Sequence, residues 1–219
     1  MYKLELLCTF MEEKIQILMI HGGETFNNQN DYLNYLKTKK IRFGKKIRWS
    51  EDYLKRELGE DFEITWPRMP LEDNARYDDW KILFDRYIEK LGDNVILIGR
   101  SVGGIFLAKY LSENVLPRKI ISVYMIAAPF DNTVTGWTLT GGFELGEDLS
   151  LIGKNCGKVV LMFSADDDCV PVSHAKKYRE KLKDAEIIIY ESKNRHFQVG
   201  EFPEIVEMIK KDVVLSTKS

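Results

Sequence analysis

The chain has 219 residues, enough for one α/β domain with a sizeable core, and its 44% hydrophobic and 30% charged composition is an ordinary soluble balance. A formal net charge of −2 gives no electrostatic reason to expect nucleic acid or an acidic membrane as partner. No apolar run approaches the ~20 residues of a bilayer-spanning helix. Cys8, Cys156 and Cys169 are odd in number and lack metal-ligand spacing, so no metal is expected and a reducing cytoplasm is the simplest setting.

In chain order, residues 1–10 are weakly apolar without the layout of a signal peptide. They read as an extension ahead of Met11 or as an extra edge strand. Strands are predicted over 14–20, 62–66, 94–98, 120–127, 158–163 and 186–190. Helical patterns alternate with them: 104–111, the stripe Tyr77, Trp80, Phe84, Tyr87, Ile88 and Leu91, the stripe Ala175, Tyr178 and Leu182, and a last helix over 204–214. Alternation of this kind predicts a single α/β domain over 1–219, a mainly parallel sheet covered by helices on both faces.

Two segments break the alternation. Lys37 to Arg48 carries seven basic residues and is followed by an acidic stretch from Glu51. It reads as a solvated face paired with its neighbour, with a basic patch for an anionic substrate or nucleic acid as the alternative. Residues 131–157 are rich in Gly and Thr and hold Trp137, Leu139, Phe143 and Leu145 without a period. They should run over the carboxyl edge of the sheet, as a lid, a pocket wall or an irregular excursion.

The chemistry centres on Gly99-Arg100-Ser101-Val102-Gly103, between a predicted strand and a predicted helix. A Gly-x-Ser-x-Gly at such a turn is a nucleophile elbow, which exposes a strained serine at the sheet edge. A serine hydroxyl needs a base to take its proton and an acid to orient that base. Asp166-Asp167-Asp168 follows the fifth strand and His196 the sixth, in the chain order this fold uses. Asp167 suits the acid role through its place in Asp-x-x-Val-Pro, with Asp168 the rival and Asp166 solvent-facing or capping. His196 is the expected base. His174, near the start of a helix, could approach the site mouth but lies too close to Asp167 in sequence to partner it.

His21-Gly22-Gly23 after the first strand is expected to bring backbone N–H groups to a developing oxyanion. Gly23 and Val102 are the donors, and His21, Gly22, Trp137 and Phe197 contact substrate. No cofactor is needed for this chemistry.

With these residues in view, the chain resembles an α/β-hydrolase. It is most similar to the small, nearly cap-less serine hydrolases typified by the retinoblastoma-binding serine hydrolase and its bacterial relatives. The elbow, Trp66-Pro67-Arg68-Met69-Pro70, Trp80, Asp167-Asp168-Cys169-Val170-Pro171 and His196-Phe197 carry the resemblance, which covers the chain from Lys14 onward except residues 131–157. It implies a three-layer α/β/α sandwich with a six-stranded sheet, ordered second, first, third, fourth, fifth, sixth, without the first antiparallel hairpin and with little or no cap. The expected activity is hydrolysis of an ester or related acyl bond of a small molecule. Thioesterase, amidase and peptidase activities share the same logic, and a non-catalytic binding protein on this fold is the alternative from another class.

Overall fold

In the computed structural model, residues 14–41, 43, 44 and 48–217 are described. The reading of residues 1–10, Cys8 included, lies outside them, as do Arg42, Lys45 and Lys46 of the basic run.

Short aliphatic runs bounded by turn residues become strands because both faces of each can be buried. Val95, Ile96, Leu97 and Ile98 are all fully buried. Six strands form one sheet in the order β2-β1-β3-β4-β5-β6: β1 (Ile15–Ile20), β2 (Phe62–Thr65), β3 (Val95–Arg100), β4 (Ile120–Ile126), β5 (Cys156–Ser164) and β6 (Glu186–Tyr190). Every neighbouring pair is parallel. The order reverses at β1, whose Ile17 pairs with Ile64 on one side and Ile96 on the other. Ligands gather beyond the carboxyl ends of the strands at such a reversal.

Alternation along the strands divides the core into two layers. Leu18, Ile20, Val95 and Leu97 face one cluster, built with α3 (Tyr77–Ile88), α4 (Val102–Glu113), α5 (Ser150–Asn155) and α6 (Ser173–Lys181). Ile17, Met19, Ile96 and Ile98 face the other, with Trp49, Tyr53, α2 (Leu54–Leu58) and α7 (Pro203–Ser216). The result is the expected three-layer sandwich.

Several boundaries differ from the sequence reading. β3 runs two residues beyond 98, because Gly99 and Arg100 still pair with Met125 and Ile126. β5 starts at Cys156, opposite Ile120. Gly157 permits that pairing, since a Cβ there would stand 2.8 Å from the Ile121 carbonyl oxygen. Helix α1 (Gln29–Thr38) has no buried residue; its apolar residues, Tyr32, Leu33, Tyr35 and Leu36, recur at helical spacing but stay partly exposed. Asn28 starts it by accepting from the Asp31 N–H at 3.0 Å. Residues 131–157 contain α5, whose single short turn was hidden in an aperiodic stretch.

Candidate active site

The turn between β3 and α4 packs so tightly that its glycines are sterically required. A Cβ on Gly99 would lie 2.4 Å from the Gly103 carbonyl oxygen. One on Gly103 would lie 2.4 Å from the carbonyl oxygens of both Ile20 and His21. Between them Ser101 is held at φ 54°, ψ −122°, a conformation unfavourable for a residue with a Cβ. Its N–H donates to Ile126 O at 2.8 Å, which anchors the elbow to β4.

The acid and the histidine meet across the ends of β5 and β6. His196 Nδ1 stands 2.8 Å from Asp167 Oδ2 and 3.1 Å from Oδ1. Asp167 Oδ1 also accepts from the N–H groups of Cys169 at 2.8 Å and Val170 at 2.9 Å. Burial works against charge on Asp167, but the donors from His196, Val170 and Cys169 prevail and hold its pKa below the usual carboxylate value. An ionised Asp167 fixes the proton of His196 on Nδ1, leaving Nε2 free to accept.

His196 is supported by a strained loop in which Asn194, Arg195 and Phe197 all have positive φ. Asp166 braces that loop, so it does more than face solvent. Its carboxylate accepts from Ser164 Oγ at 2.5 Å, Ser192 Oγ at 2.6 Å, Arg195 N at 3.0 Å and Lys193 N at 3.3 Å. Asp168 instead faces Arg195 on the surface at 3.3 Å. From the other side Arg100 Nη2 donates to the His196 carbonyl oxygen at 2.6 Å. The supporting roles of Asp166 and Arg100 escaped the sequence reading, because neither is separated from its neighbours by any pattern along the chain.

A cavity of about 1130 Å³ opens where these elements converge. Ser101, His196, His21, Gly22, Gly23 and Trp137 all line it. A Cβ on Gly22 would stand 3.3 Å from Ser101 Cβ and 3.8 Å from its Oγ, so the loop after β1 passes directly over the serine. Met69 N donates to His21 Nε2 at 2.9 Å, which places the ring proton on Nδ1, where it reaches Gly22 O at 2.5 Å. Because the peptide is planar and trans, fixing the Gly22 carbonyl aims the Gly23 N–H the opposite way. Among the described residues neither the Gly23 nor the Val102 N–H meets a hydrogen-bond acceptor.

The segment matched by the resemblance braces this loop. Trp80 Nε1 donates to Pro70 O at 2.7 Å and its ring meets His21 edge-on, while Trp66 Nε1 donates to Ser50 O at 2.5 Å. Residues 135–138 form part of the cavity wall. Trp137 Nε1 donates to Cys169 O at 3.3 Å, and Thr25 Oγ1 donates to Thr138 O at 2.5 Å.

Two residues stand elsewhere than the sequence reading put them. Phe197 is not in the cavity wall. It is 1% exposed and packs against Tyr190 and Phe202 in the α7 layer, because the positive φ at Phe197 turns its ring away from the neighbouring His196. His174 is fully buried, accepting from Phe130 N at 2.9 Å and donating from Nε2 to Thr133 O at 3.0 Å. It serves the packing of α6 and does not reach the site mouth.

The donor atoms of Asp167, Cys169 and His196 lie within 4.8 Å of one another. Asp167 and His196 already satisfy each other, and burial together with Asp168 and Asp167 pushes the Cys169 thiol up to about 11. The set is therefore a poor resident metal site by its own chemistry. No helix among the described residues is long and apolar enough to cross a membrane.

An all-parallel six-stranded sheet with helices on both faces and a strained serine after β3 defines the α/β-hydrolase fold. Solved structures bear this out. The chain is similar to the ydeN gene product from B. subtilis, with a TM-score of 0.72 at 19% identity over 91% of this chain and 98% of that one. It is also similar to a methylesterase protein, MES16, from Arabidopsis (TM-score 0.58, 13% identity, 92% and 99% covered). A lipase-esterase related protein from Clostridium acetobutylicum gives a TM-score of 0.55 at 12% identity, with 91% and 95% covered. At these identities the likeness is one of fold. No protein-family model and no curated protein matches the chain.

Proposed function

We propose that the chain is a serine hydrolase of the small, nearly cap-less kind, cleaving an ester or related acyl bond of a small molecule in a reducing cytoplasm. The observation that carries this reading is the Asp167–His196 pair at 2.8 Å, opening on the same cavity as a serine held at positive φ. Esterase and lipase-related names among the fold neighbours support it as analogy.

Ser101 Oγ attacks the substrate carbonyl carbon while His196 Nε2 takes its proton. Asp167 keeps the ring in the right tautomer and stabilises the imidazolium. The Gly23 and Val102 N–H groups hold the oxyanion of the tetrahedral intermediate. His196 then protonates the leaving oxygen, an acyl-enzyme forms on Ser101, and a water activated by the same histidine releases the acid. His21 acts through Gly22 by orienting the loop, and residues 131–157 supply pocket wall, with Trp137 against the substrate.

The test is labelling with a fluorophosphonate probe. Stoichiometric modification of the wild type, absent in Ser101→Ala and much slowed in His196→Ala, is the expected result. A folded wild type that does not react would overturn the reading in favour of a binding protein on a hydrolase fold.

A further inference from the structure

Arg100 is an unusual group to find beside a nucleophile. It occupies the variable position of the elbow, immediately before Ser101, and its guanidinium is largely buried with no paired carboxylate among the described residues. Nη2 is used by the His196 carbonyl, and Nε is buried with no partner among the described residues. Arg100 lines the cavity together with Ser101. Arg48 repels its charge, and Asp167, which favours it, already receives His196, Cys169 and Val170. A buried cation in this state calls for an anion.

Arg48 adds to the same place. It ends the basic run that begins at Lys37 and contains no acidic residue. Arg48 and Arg100 line the main cavity together, and together they border a small cleft behind it with Trp49 and Phe197. Arg48 Nη1 has Glu51 at 3.5 Å, a partly exposed pair. Cavity-lining carboxylates, including Glu24, Glu72 and Asp73, lie along the loops after β1 and β2, with Glu72 close to His21 and Asp73 paired to Lys39. Glu51 and Asp52 also line the cavity, on the same segment as Arg48, and Arg68 lines it beside Glu72 and Asp73. The site beside Ser101 is therefore set apart by Arg100, which is buried and carries no paired carboxylate among the described residues.

We propose that Arg100 and Arg48 form an anion subsite beside Ser101, so that the substrate is an ester carrying a carboxylate or a phosphate group. Two guanidinium groups suit such oxygens because each offers parallel N–H donors in a fixed plane. The proposal rests on the serine hydrolase reading and names its substrate class.

The experiment compares 4-nitrophenyl hemisuccinate with 4-nitrophenyl butyrate, a near-isosteric neutral ester, on wild type, Arg48→Gln and Arg48→Lys. Wild type is expected to prefer the anionic ester in kcat/KM by about tenfold or more at low salt, the scale of a charge-assisted contact, with the preference shrinking as salt is raised. Arg48→Gln should collapse that ratio and Arg48→Lys should restore part of it. Calorimetric titration of the full chain with free succinate and with inorganic phosphate supplies an arm independent of turnover. The tighter of the two identifies the anion, and Arg48→Gln should weaken it at least tenfold. An unchanged ester ratio in Arg48→Gln, together with no saturable binding of either anion, overturns the subsite. If neither ester is hydrolysed and the fluorophosphonate fails to label Ser101, the hydrolase reading falls, while the titration still decides the subsite.

Discussion

Asp166 accepts a hydrogen bond from the Arg195 N–H at 3.0 Å, one residue before the histidine whose ring Asp167 holds at 2.8 Å. Adjacent carboxylates therefore divide one task. Asp167 sets the tautomer of His196, and Asp166 sets where the loop carrying His196 can be. The hydrogen bonds from Ser164, Ser192 and Arg195 hold the Asp166 carboxyl well below the usual carboxylate range, the mark of donors that favour its charged form.

Asp166→Ala removes that brace without touching the ring. The positive φ at Asn194, Arg195 and Phe197 is then less well enforced, and His196 samples positions off the line to Ser101. Displacement by about 1 Å costs on the order of 100-fold in rate. The expected outcome is a kcat/KM loss of roughly 10- to 100-fold with a matching fall in fluorophosphonate labelling rate. Folded circular dichroism with wild-type labelling would show that the loop keeps its shape without Asp166.

His21→Ala frees the Gly22 carbonyl and the Met69 N–H at once, since the ring bonds both. The Gly22–Gly23 peptide can then rotate, and the Gly23 N–H loses its fixed aim. Loss of one oxyanion donor typically costs about 100- to 1000-fold in kcat. A loss of that size in kcat, with little change in KM, is expected for His21→Ala. Affinity for a trifluoromethyl ketone, which mimics the tetrahedral adduct, should fall in parallel. If KM alone changes, His21 contacts substrate and does not act through Gly22.

Ser101→Gly separates strain from chemistry. The backbone at φ 54°, ψ −122° costs a residue with a Cβ about 1–3 kcal/mol, while glycine adopts it freely at an entropic cost of about 0.5–1 kcal/mol. The variant should be inactive yet more stable by about 1 kcal/mol, a Tm rise of about 2–4 °C for a chain of this size. Gly103→Ala is the opposite case. Its Cβ would meet two backbone carbonyl oxygens at 2.4 Å, which neither can leave without breaking the β1–α4 contact, and a loss of about 3 kcal/mol is expected. Urea unfolding of the two variants beside wild type measures both effects.

Sequence reveals the parts of this molecule that rest on local chemistry. The elbow is legible because Gly99 and Gly103 are demanded by a single turn. The central strands are legible because aliphatic runs such as Val95–Ile98 are buried on both faces, while the edge strands β2 and β6 are legible from their alternating or branched residues although none of those is fully buried. Asp167 and His196 could be picked out by their places after β5 and β6, although 29 residues separate them. What remains hidden depends on contacts made across the fold. Nothing in a Gly-Arg-Ser tripeptide says that the arginine reaches the carbonyl of a histidine 96 residues later. Phe197 was misread for a related reason, since a residue next to a catalytic candidate points wherever its φ sends it. Helix α1 carries Tyr32, Leu33, Tyr35 and Leu36 at helical spacing, a weaker pattern than the buried stripe of α3.

His174 makes the pH behaviour of the fold testable apart from the active site. Burial lowers its pKa and Lys177 adds to the effect, while the Thr133 carbonyl and Asp131, 4.0 Å away, pull the other way. Protonation would also place a hydrogen on Nδ1 where the Phe130 N–H already points, so the charged ring loses that bond. A histidine whose pKa is lower in the folded chain than in the unfolded one contributes stability that is fully present above the unfolded value, about 6.5. That contribution is lost as pH falls below it towards the folded value. The contribution of His174 to the wild-type Tm should therefore fall between pH 7.5 and 5.5. His174→Gln, which has no proton to gain, should begin lower at pH 7.5 because the packing around Phe130 and Thr133 is imperfect, and should lose less on acidification. The difference between the two melting curves isolates His174 from the other histidines. If that difference is the same at both pH values, the buried ring is not what makes the fold acid-sensitive.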